Sequence, residues 1–395
     1  MFSKKTVKDV DVRDKRVLVR VDFNVPLDGG AVTDDTRVRA ALPTIRYLID
    51  HGARVILMSH LGRPAGVADP QYSMRPVRRV LQRLIGRNVA FVDDIAGADA
   101  QEAVSRMVDG EILMLENVRF DPGEKANTPE FAGKLAALAD IYVNDAFGAA
   151  HRSHASTEGV AHLLPAYAGL LLAREVETLT GILMDPDRPF VAILGGSKVS
   201  DKFGVIEKLI DCCDTLVIGG GMAFTFLVAK GVSVGRSIVE TEWVEPAKGM
   251  LAKALEKDVE LLLPVDFIVA DQIVEDAETQ VVGREEIPAD MMGLDIGPTT
   301  VELYKGAISS AKTIFWNGPM GVFEMTPFET GTHEVANAVA RNNRAISVVG
   351  GGDSVAAIKK FDLEERITFV STGGGASMRL LEGSALPGVE SLLDA

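Results

Sequence analysis

Cysteine is nearly missing from this 395-residue chain: there are two, side by side at Cys212 and Cys213. Neighbours in sequence build no disulfide framework, which fits a reducing compartment. The apolar helix end they occupy points to buried structural thiols, not to catalysis. No apolar run reaches transmembrane length, and Lys4, Lys5 and Lys8 are not followed by the apolar core of a secretory signal, so a cytoplasmic protein is expected. Basic charge is also short. The net charge is -15 and the sequence pI about 5.0, which argues against nucleic-acid and anionic-membrane partners. Low-complexity tracts and internal repeats are absent. So are the G-x-G-x-x-G and Walker A patterns, and any Ser-His-Asp or Cys-His arrangement.

What is present is apolar residues, 47% of the chain, ample for real cores. A chain of this length predicts two domains. Short β-rich runs at 17–23, 54–59, 112–116 and 140–144, then at 190–194, 215–218, 313–316, 345–349 and 368–370, alternate with amphipathic stretches such as 38–50, 76–85 and 205–211. Alternation of this kind predicts parallel sheets covered by helices on both faces. The expected fold is therefore α/β, with two doubly wound, Rossmann-like domains of three αβα layers each. A helix at 168–183, stopped by the turn-rich Asp185 to Pro189, would serve as a helical hinge between them. The boundaries read as 1–172 and 173–380, with a tail, 381–395, returning to the first domain.

Charge divides unevenly between the halves. Residues 1–172 hold 22 Lys+Arg and 22 Asp+Glu, so the remainder holds 41 − 22 = 19 basic and 56 − 22 = 34 acidic residues, the whole of the -15. Ligands of open α/β sheets bind beyond the carboxyl ends of the strands. In the first half those ends carry Arg20, Asp22 and Asn24; Arg37 at a helix start; His60 and Arg63; Arg119; and His151, Arg152 and His154. Arginines converging on one sheet edge would form a positive cup for a ligand bearing phosphate and carboxylate groups. No cysteine or carboxylate cluster accompanies His151 and His154 at metal-ligand spacing. In the second half the strand ends are glycine-rich: 195–196, 219–221, 350–352 and 373–375. Glycine lets backbone N–H groups reach phosphate oxygens, and a following helix N-terminus adds positive potential. Lys198 and Lys202 would share one face if the helix has begun by then. Asp353, just after three glycines, is placed to hold Mg²⁺ against nucleotide phosphates.

These stretches resemble one family from end to end. RVDFNVP (20–26), SHLGRP (59–64), LENVRF (115–120), NDAFGAAHRSH (144–154), LGGSKVSDK (194–202), IGGGMAFTF (218–226), WNGPMGVFE (316–324), VGGGDS (349–354) and STGGGAS (371–377) follow the order of the phosphoglycerate kinases. The resemblance implies that Asp22, Phe23, Asn24, Arg37, His60, Leu61, Gly62, Arg63, Arg119 and Arg152 bind a three-carbon acid phosphate. It implies nucleotide binding by Lys198, Lys202, Gly293, Asn317, Glu324 and Gly350, Gly351, Gly352, Asp353 and Ser354, with Asp353 on Mg²⁺. Arg37, Lys198 and Lys202, with backbone N–H groups of Gly373, Gly374 and Gly375, would stabilise the transferring phosphoryl group. The residues alone do not single out Gly293, Asn317 or Glu324. Arg379 and Ser384 depart from the family, which commonly has an acidic residue and a lysine there.

The implied reaction is reversible transfer of the 1-phosphate of 1,3-bisphosphoglycerate to MgADP, giving ATP and 3-phosphoglycerate. It needs positioning and charge stabilisation, not a protein nucleophile. The partners expected are small molecules, and the enzyme is expected to be a monomer that closes its domains around them. Two rivals share the architecture. A dinucleotide-dependent dehydrogenase should carry G-x-G-x-x-G where this chain reads RVDFNVP. An exported solute-binding protein would not need glycine-rich loops facing an arginine cup.

Overall fold

The computed structural model describes residues 2–395. It divides into two compact units, the first running to Thr178 and taking in Ser384–Ala395, the second comprising Leu179–Gly383. The division falls inside a helix, Leu170–Met184.

The first unit is built on a sheet of β1 (Arg16–Arg20), β4 (Arg54–Met58), β5 (Ala90–Phe91), β6 (Ile112–Met114), β7 (Ile141–Asn144) and β8 (Ala166–Ala168), with a small hairpin of β2 (Leu27–Asp28) and β3 (Ala31–Val32) beside it. The order is β5-β6-β4-β1-β7-β8, and every pair is parallel. The central strands are buried almost throughout, the pattern of a sheet covered on both faces. Helices Thr36–Asp50 and Arg75–Ile85 bury Val38, Ile45, Leu48, Val77 and Leu81 in the same core as Val17, Val19, Val55 and Leu57. Gly86, at φ +71°, ends the second of these in the left-handed cap that glycine adopts freely. The tail is pinned within this unit. Leu393 N–H donates to the Ala166 carbonyl, and the Asn144 side-chain amide donates to the Gly388 carbonyl at 2.9 Å.

The second unit repeats the plan. β9 (Phe190–Leu194), β10 (Thr215–Ile218), β11 (Glu260–Leu262), β15 (Thr313–Asn317), β16 (Ile346–Val349) and β17 (Phe369–Val370) form a parallel sheet in the order β11-β10-β9-β15-β16-β17. Between β11 and β15 the chain makes an antiparallel sheet of β12 (Asp266–Ala270), β13 (Gln280–Gly283) and β14 (Met292–Ile296), in the order β13-β12-β14. The sequence reading did not anticipate that sheet. Cys212 and Cys213 lie just past helix Phe203–Ile210; Cys213 is buried and Cys212 only half-buried. Burial pushes the Cys212 thiol up to about 11, so both act as packing groups and not as nucleophiles.

Candidate functional site

In both sheets the winding reverses at a central strand, and the loops at that reversal gather the polar residues. In the first unit the reversal lies at β1, between β4 and β7. The strand expected through Phe23 leaves the sheet after Arg20. Phe23 N–H turns to the Ser59 hydroxyl at 2.9 Å, which sets Asp22 beside Arg37 with Arg37 Nη1 donating to Asp22 Oδ2 at 2.6 Å. Asn24 Oδ1 accepts from Gly62 N–H at 2.8 Å and so ties two strand-end loops together. A Cβ on Gly62 would lie 2.3 Å from the Tyr72 ring, and its φ of +62° suits glycine, so any larger residue there must displace that ring. Arg119 Nη1 donates to the Gly62 carbonyl at 2.6 Å, while its buried Nε has no partner. Phe23 and Leu61 have their side chains in the core, so only their backbone faces the site.

His60 lies at the centre of this group. Burial, and then the guanidinium groups of Arg20, Arg119, Arg152 and Arg37, hold its pKa well below the ordinary imidazole value. Burial also lowers Arg119 to about 10, with Arg152 and Arg20 adding repulsion. Such a concentration of cations around a neutral ring is a site prepared for an anion. Arg152 is half-buried and Arg63 exposed; among the described residues neither pairs with a carboxylate.

In the second unit the reversal lies between β9 and β15. A cavity of about 240 Å³ opens there, lined by Asp201, Lys202, Asn317, Gly318, Gly351, Gly352, Asp353, Ser354, Gly374, Gly375 and Met378. Its walls are held by short cross-links between loops. Asn317 Nδ2 donates to the Gly350 carbonyl at 2.8 Å, Gly318 N–H donates to the Ser354 hydroxyl at 2.5 Å, and Lys202 Nζ donates to the Gly195 carbonyl at 2.7 Å. Two glycines are sterically required. A Cβ on Gly318 would meet the Gly195 carbonyl oxygen at 2.3 Å, and one on Gly351 would meet Asn317 Nδ2 at 2.6 Å, both at positive φ. Burial lowers the Lys202 ammonium, and the carboxylates of Asp353 and Asp201 oppose that shift.

The sequence profile of the phosphoglycerate kinase family matches residues 7–384. The chain belongs to the phosphoglycerate kinase family. The phosphoglycerate kinases of Chloroflexus aggregans and Moorella thermoacetica are each 56% identical to it, over 399 and 393 aligned residues, with both chains fully covered. A solved phosphoglycerate kinase from Coxiella burnetii superposes with a TM-score of 0.89 at 43% identity, covering 98% of each chain. One from Pyrococcus horikoshii gives 0.86 at 35%, again covering 98% of each.

Of the residues that resemblance to phosphoglycerate kinases named, Lys202, Asn317, Gly351, Gly352, Asp353, Ser354, Gly374 and Gly375 share the second unit's cavity, while Lys198, Gly293, Glu324, Gly350 and Gly373 lie outside its lining. Gly293 is on β14 against the Phe224 ring, which a Cβ there would meet at 2.3 Å. Lys198 and Lys202 do not share a helical face, because the helix begins only at Phe203 after a 3₁₀ turn over Ser200–Lys202. Glu240 holds that turn, accepting from Val199 N–H at 2.5 Å and Ser200 N–H at 3.0 Å. Sequence reasoning missed Glu240, Asp201 and Met378, since neither position nor neighbours set them apart. It missed Glu124 and Ser156 behind the arginine cup for the same reason.

Proposed function

We propose that this chain transfers the 1-phosphate of 1,3-bisphosphoglycerate to MgADP, reversibly, holding the acid phosphate on the first unit and the nucleotide on the second. The observation that supports the division most directly is the buried, unpartnered Arg119 Nε within a group of guanidiniums bearing on His60. A buried donor without an acceptor is rare, and an anionic ligand supplies the acceptor. On this reading Arg37, Arg63, Arg119 and Arg152 bind phosphate and carboxylate oxygens, with His60 and Asn24 completing the set. Asp22 orients Arg37.

On the nucleotide side, backbone N–H groups of Gly351 to Asp353 and of Gly373 to Gly375 take phosphate oxygens, and Lys202 supplies the positive charge. Gly293 and Glu324 would flank the base and ribose. Among the described residues no cluster of His, Cys, Asp or Glu offers a protein-only metal cage. That suits Mg²⁺, which ordinarily takes one or two carboxylates plus substrate phosphates. Asp353 is the carboxylate that would hold it, and the ion would neutralise charge on the nucleotide phosphates. Arg37 and Lys202 stabilise the equatorial oxygens of the phosphoryl group in flight; no side chain need accept it covalently.

With each substrate on its own unit, transfer requires closure, which also excludes water as a rival acceptor. Small-angle scattering should show compaction only with 3-phosphoglycerate and MgATP together. Equal compaction of the apo protein would remove closure from the mechanism. We propose a cytoplasmic monomer; among the described residues no helix is long and apolar enough to cross a membrane. The decisive assay couples ADP formation from 3-phosphoglycerate and MgATP to a chromogenic readout. No turnover across a broad pH range would overturn the reading.

A further inference from the structure

His60 has two ring nitrogens, and which of them carries the proton decides what the ring offers a ligand. Arg20 Nη2 lies 3.1 Å from His60 Nδ1. A guanidinium only donates, so Nδ1 must accept and the proton of the neutral ring must sit on Nε2. Among the described residues no protein group hydrogen-bonds Nε2. Arg20 is itself fully buried, a position that calls for a counter-charge. Its Nη1 donates to the Val21 carbonyl at 2.6 Å and its Nε to the Ser156 hydroxyl at 2.7 Å. That hydroxyl donates to Glu124 Oε1 at 2.7 Å, and Ser156 N–H donates to Oε2 at 2.9 Å. Arg20 Nη2 is 3.9 Å from Glu124, whose side chain is wholly buried.

We propose that Glu124, acting through Ser156 and Arg20, is a positioning residue that fixes His60 with Nδ1 as acceptor and its proton on Nε2, aimed at the anionic substrate. The proposal rests on reading the arginine cup as the acid-phosphate site. The charged groups facing the relay are consistent with it, and the buried Tyr142, whose hydroxyl donates to the Ser156 carbonyl, is kept neutral by burial. Arg20, Arg37, Arg119 and Arg152 oppose a second proton on His60, and Asp22, at 3.9 Å from Nδ1, is beyond hydrogen-bond reach. Arg20 and His154 face Glu124. Burial alone would raise the Glu124 carboxyl, but hydrogen bonds from His154 and Ser156 and the Arg20 charge outweigh it and leave the acid below its ordinary range. A ring kept in one tautomer, and unprotonated, gives the ligand a donor whose strength does not change across physiological pH.

The test is ¹⁵N NMR of histidine-labelled full-length protein, with the His60 signal assigned by its loss in His60→Gln. The expected wild-type pattern has an unprotonated Nδ1 and a protonated Nε2, unchanged between pH about 5.5 and about 8. A protonated Nδ1, or titration in that range, overturns the proposal without any variant. In Glu124→Gln the two tautomers should mix, and KM for 3-phosphoglycerate should rise about tenfold, the scale of one charged hydrogen bond. KM for MgATP should stay near wild type, and Glu124→Asp should recover part of the loss. A folded Glu124→Gln with an unaltered His60 spectrum and unaltered KM removes Glu124 from the relay. Should that variant fail to fold, Ser156→Ala breaks the same chain without removing a buried charge, and the same two outcomes apply. Lack of turnover in a wild-type protein whose His60 shows the expected tautomer would strike the proposed reaction and not the relay.

Discussion

On the proposed function, the two units would meet an anion in opposite ways. The first uses side chains: long, charged guanidiniums that must be held in place and partly stripped of water, at the cost of lowering Arg119 to about 10 by burial. It therefore needs internal counter-charges, and Asp22 and Glu124 supply them. The second uses backbone. Its cavity is walled by glycines whose N–H dipoles carry no net charge, with Lys202 as its one cation among the lining residues. This contrast explains why net charge misleads when read by halves. The half with no net charge in its sequence holds the concentrated positive site, because Arg20, Arg37, Arg119 and Arg152 all bear on His60 while most of its other charges lie elsewhere.

The contrast can be broken most decisively at the reacting phosphoryl group. If both units contribute charge to the transition state, Arg37→Ala and Lys202→Ala should each lower kcat on the order of a hundredfold or more. Arg37→Lys separates charge from geometry, because lysine keeps the first and loses the bidentate fork. Near-normal turnover in Arg37→Ala would leave the chemistry to the second unit alone.

A smaller effect sharpens the division of labour. Arg119→Met should raise KM for 3-phosphoglycerate about tenfold and leave KM for MgATP unchanged. Gly351→Ala should do the reverse, since its Cβ would lie 2.6 Å from Asn317 Nδ2 at a φ of +93° and displace the amide that ties Asn317 to Gly350. Steady-state titration of each substrate reads both variants. If either shifts both constants alike, the sites are not separable in the way their chemistries suggest.

Much of this arrangement is legible in sequence because parallel strands are continuous apolar runs and their ends are loops. β1, β4, β7, β9, β10, β15 and β16 all lie where alternation places them, within a few residues. β17, only two residues long, falls within the run read at 368–370, whereas β5, equally short, is too brief for periodicity to mark unaided. β14 hides because it buries an acid, Asp295, in MGLDI. The same limit applies to the site. Arg20 stands out at a strand end, but its partner Ser156 is 136 positions away and Glu124 lies in a four-residue helix, so nothing local announces either. Residues that touch a ligand cluster at loop tips, whereas residues that hold them are scattered by the fold.

The smallest expected effect concerns that buried acid. Asp295 accepts from Ile296 N–H at 2.9 Å and Gly331 N–H at 2.6 Å, yet burial raises its carboxyl to about 8, with Glu329 adding repulsion. Its pKa in the unfolded chain is near 3.8. The folded state thus keeps a proton that the unfolded state releases. The stability this contributes is complete below pH about 4 and is lost as pH rises toward about 8. In the first unit Asp145, raised to about 7 by burial, has the same sign. The two can be told apart because both tryptophans, Trp243 and Trp316, lie in the second unit, so their fluorescence follows its unfolding. Asp295→Asn removes the titration. The unfolding free energy from denaturant curves read by tryptophan should then fall less between pH about 5 and about 8 than in the wild type, by on the order of 1 kcal/mol or more. Asp145→Asn should leave that fluorescence slope as it was. Identical slopes in Asp295→Asn and wild type would mean that Asp295 is ionised in the fold, with its two N–H donors outweighing burial. Asp295 would then join Asp266, a buried carboxylate of the same unit that, despite burial, hydrogen bonds from Thr300 and Thr299 hold below its ordinary range, and the contrast between a charged unit and a dipolar one would hold only at the ligand.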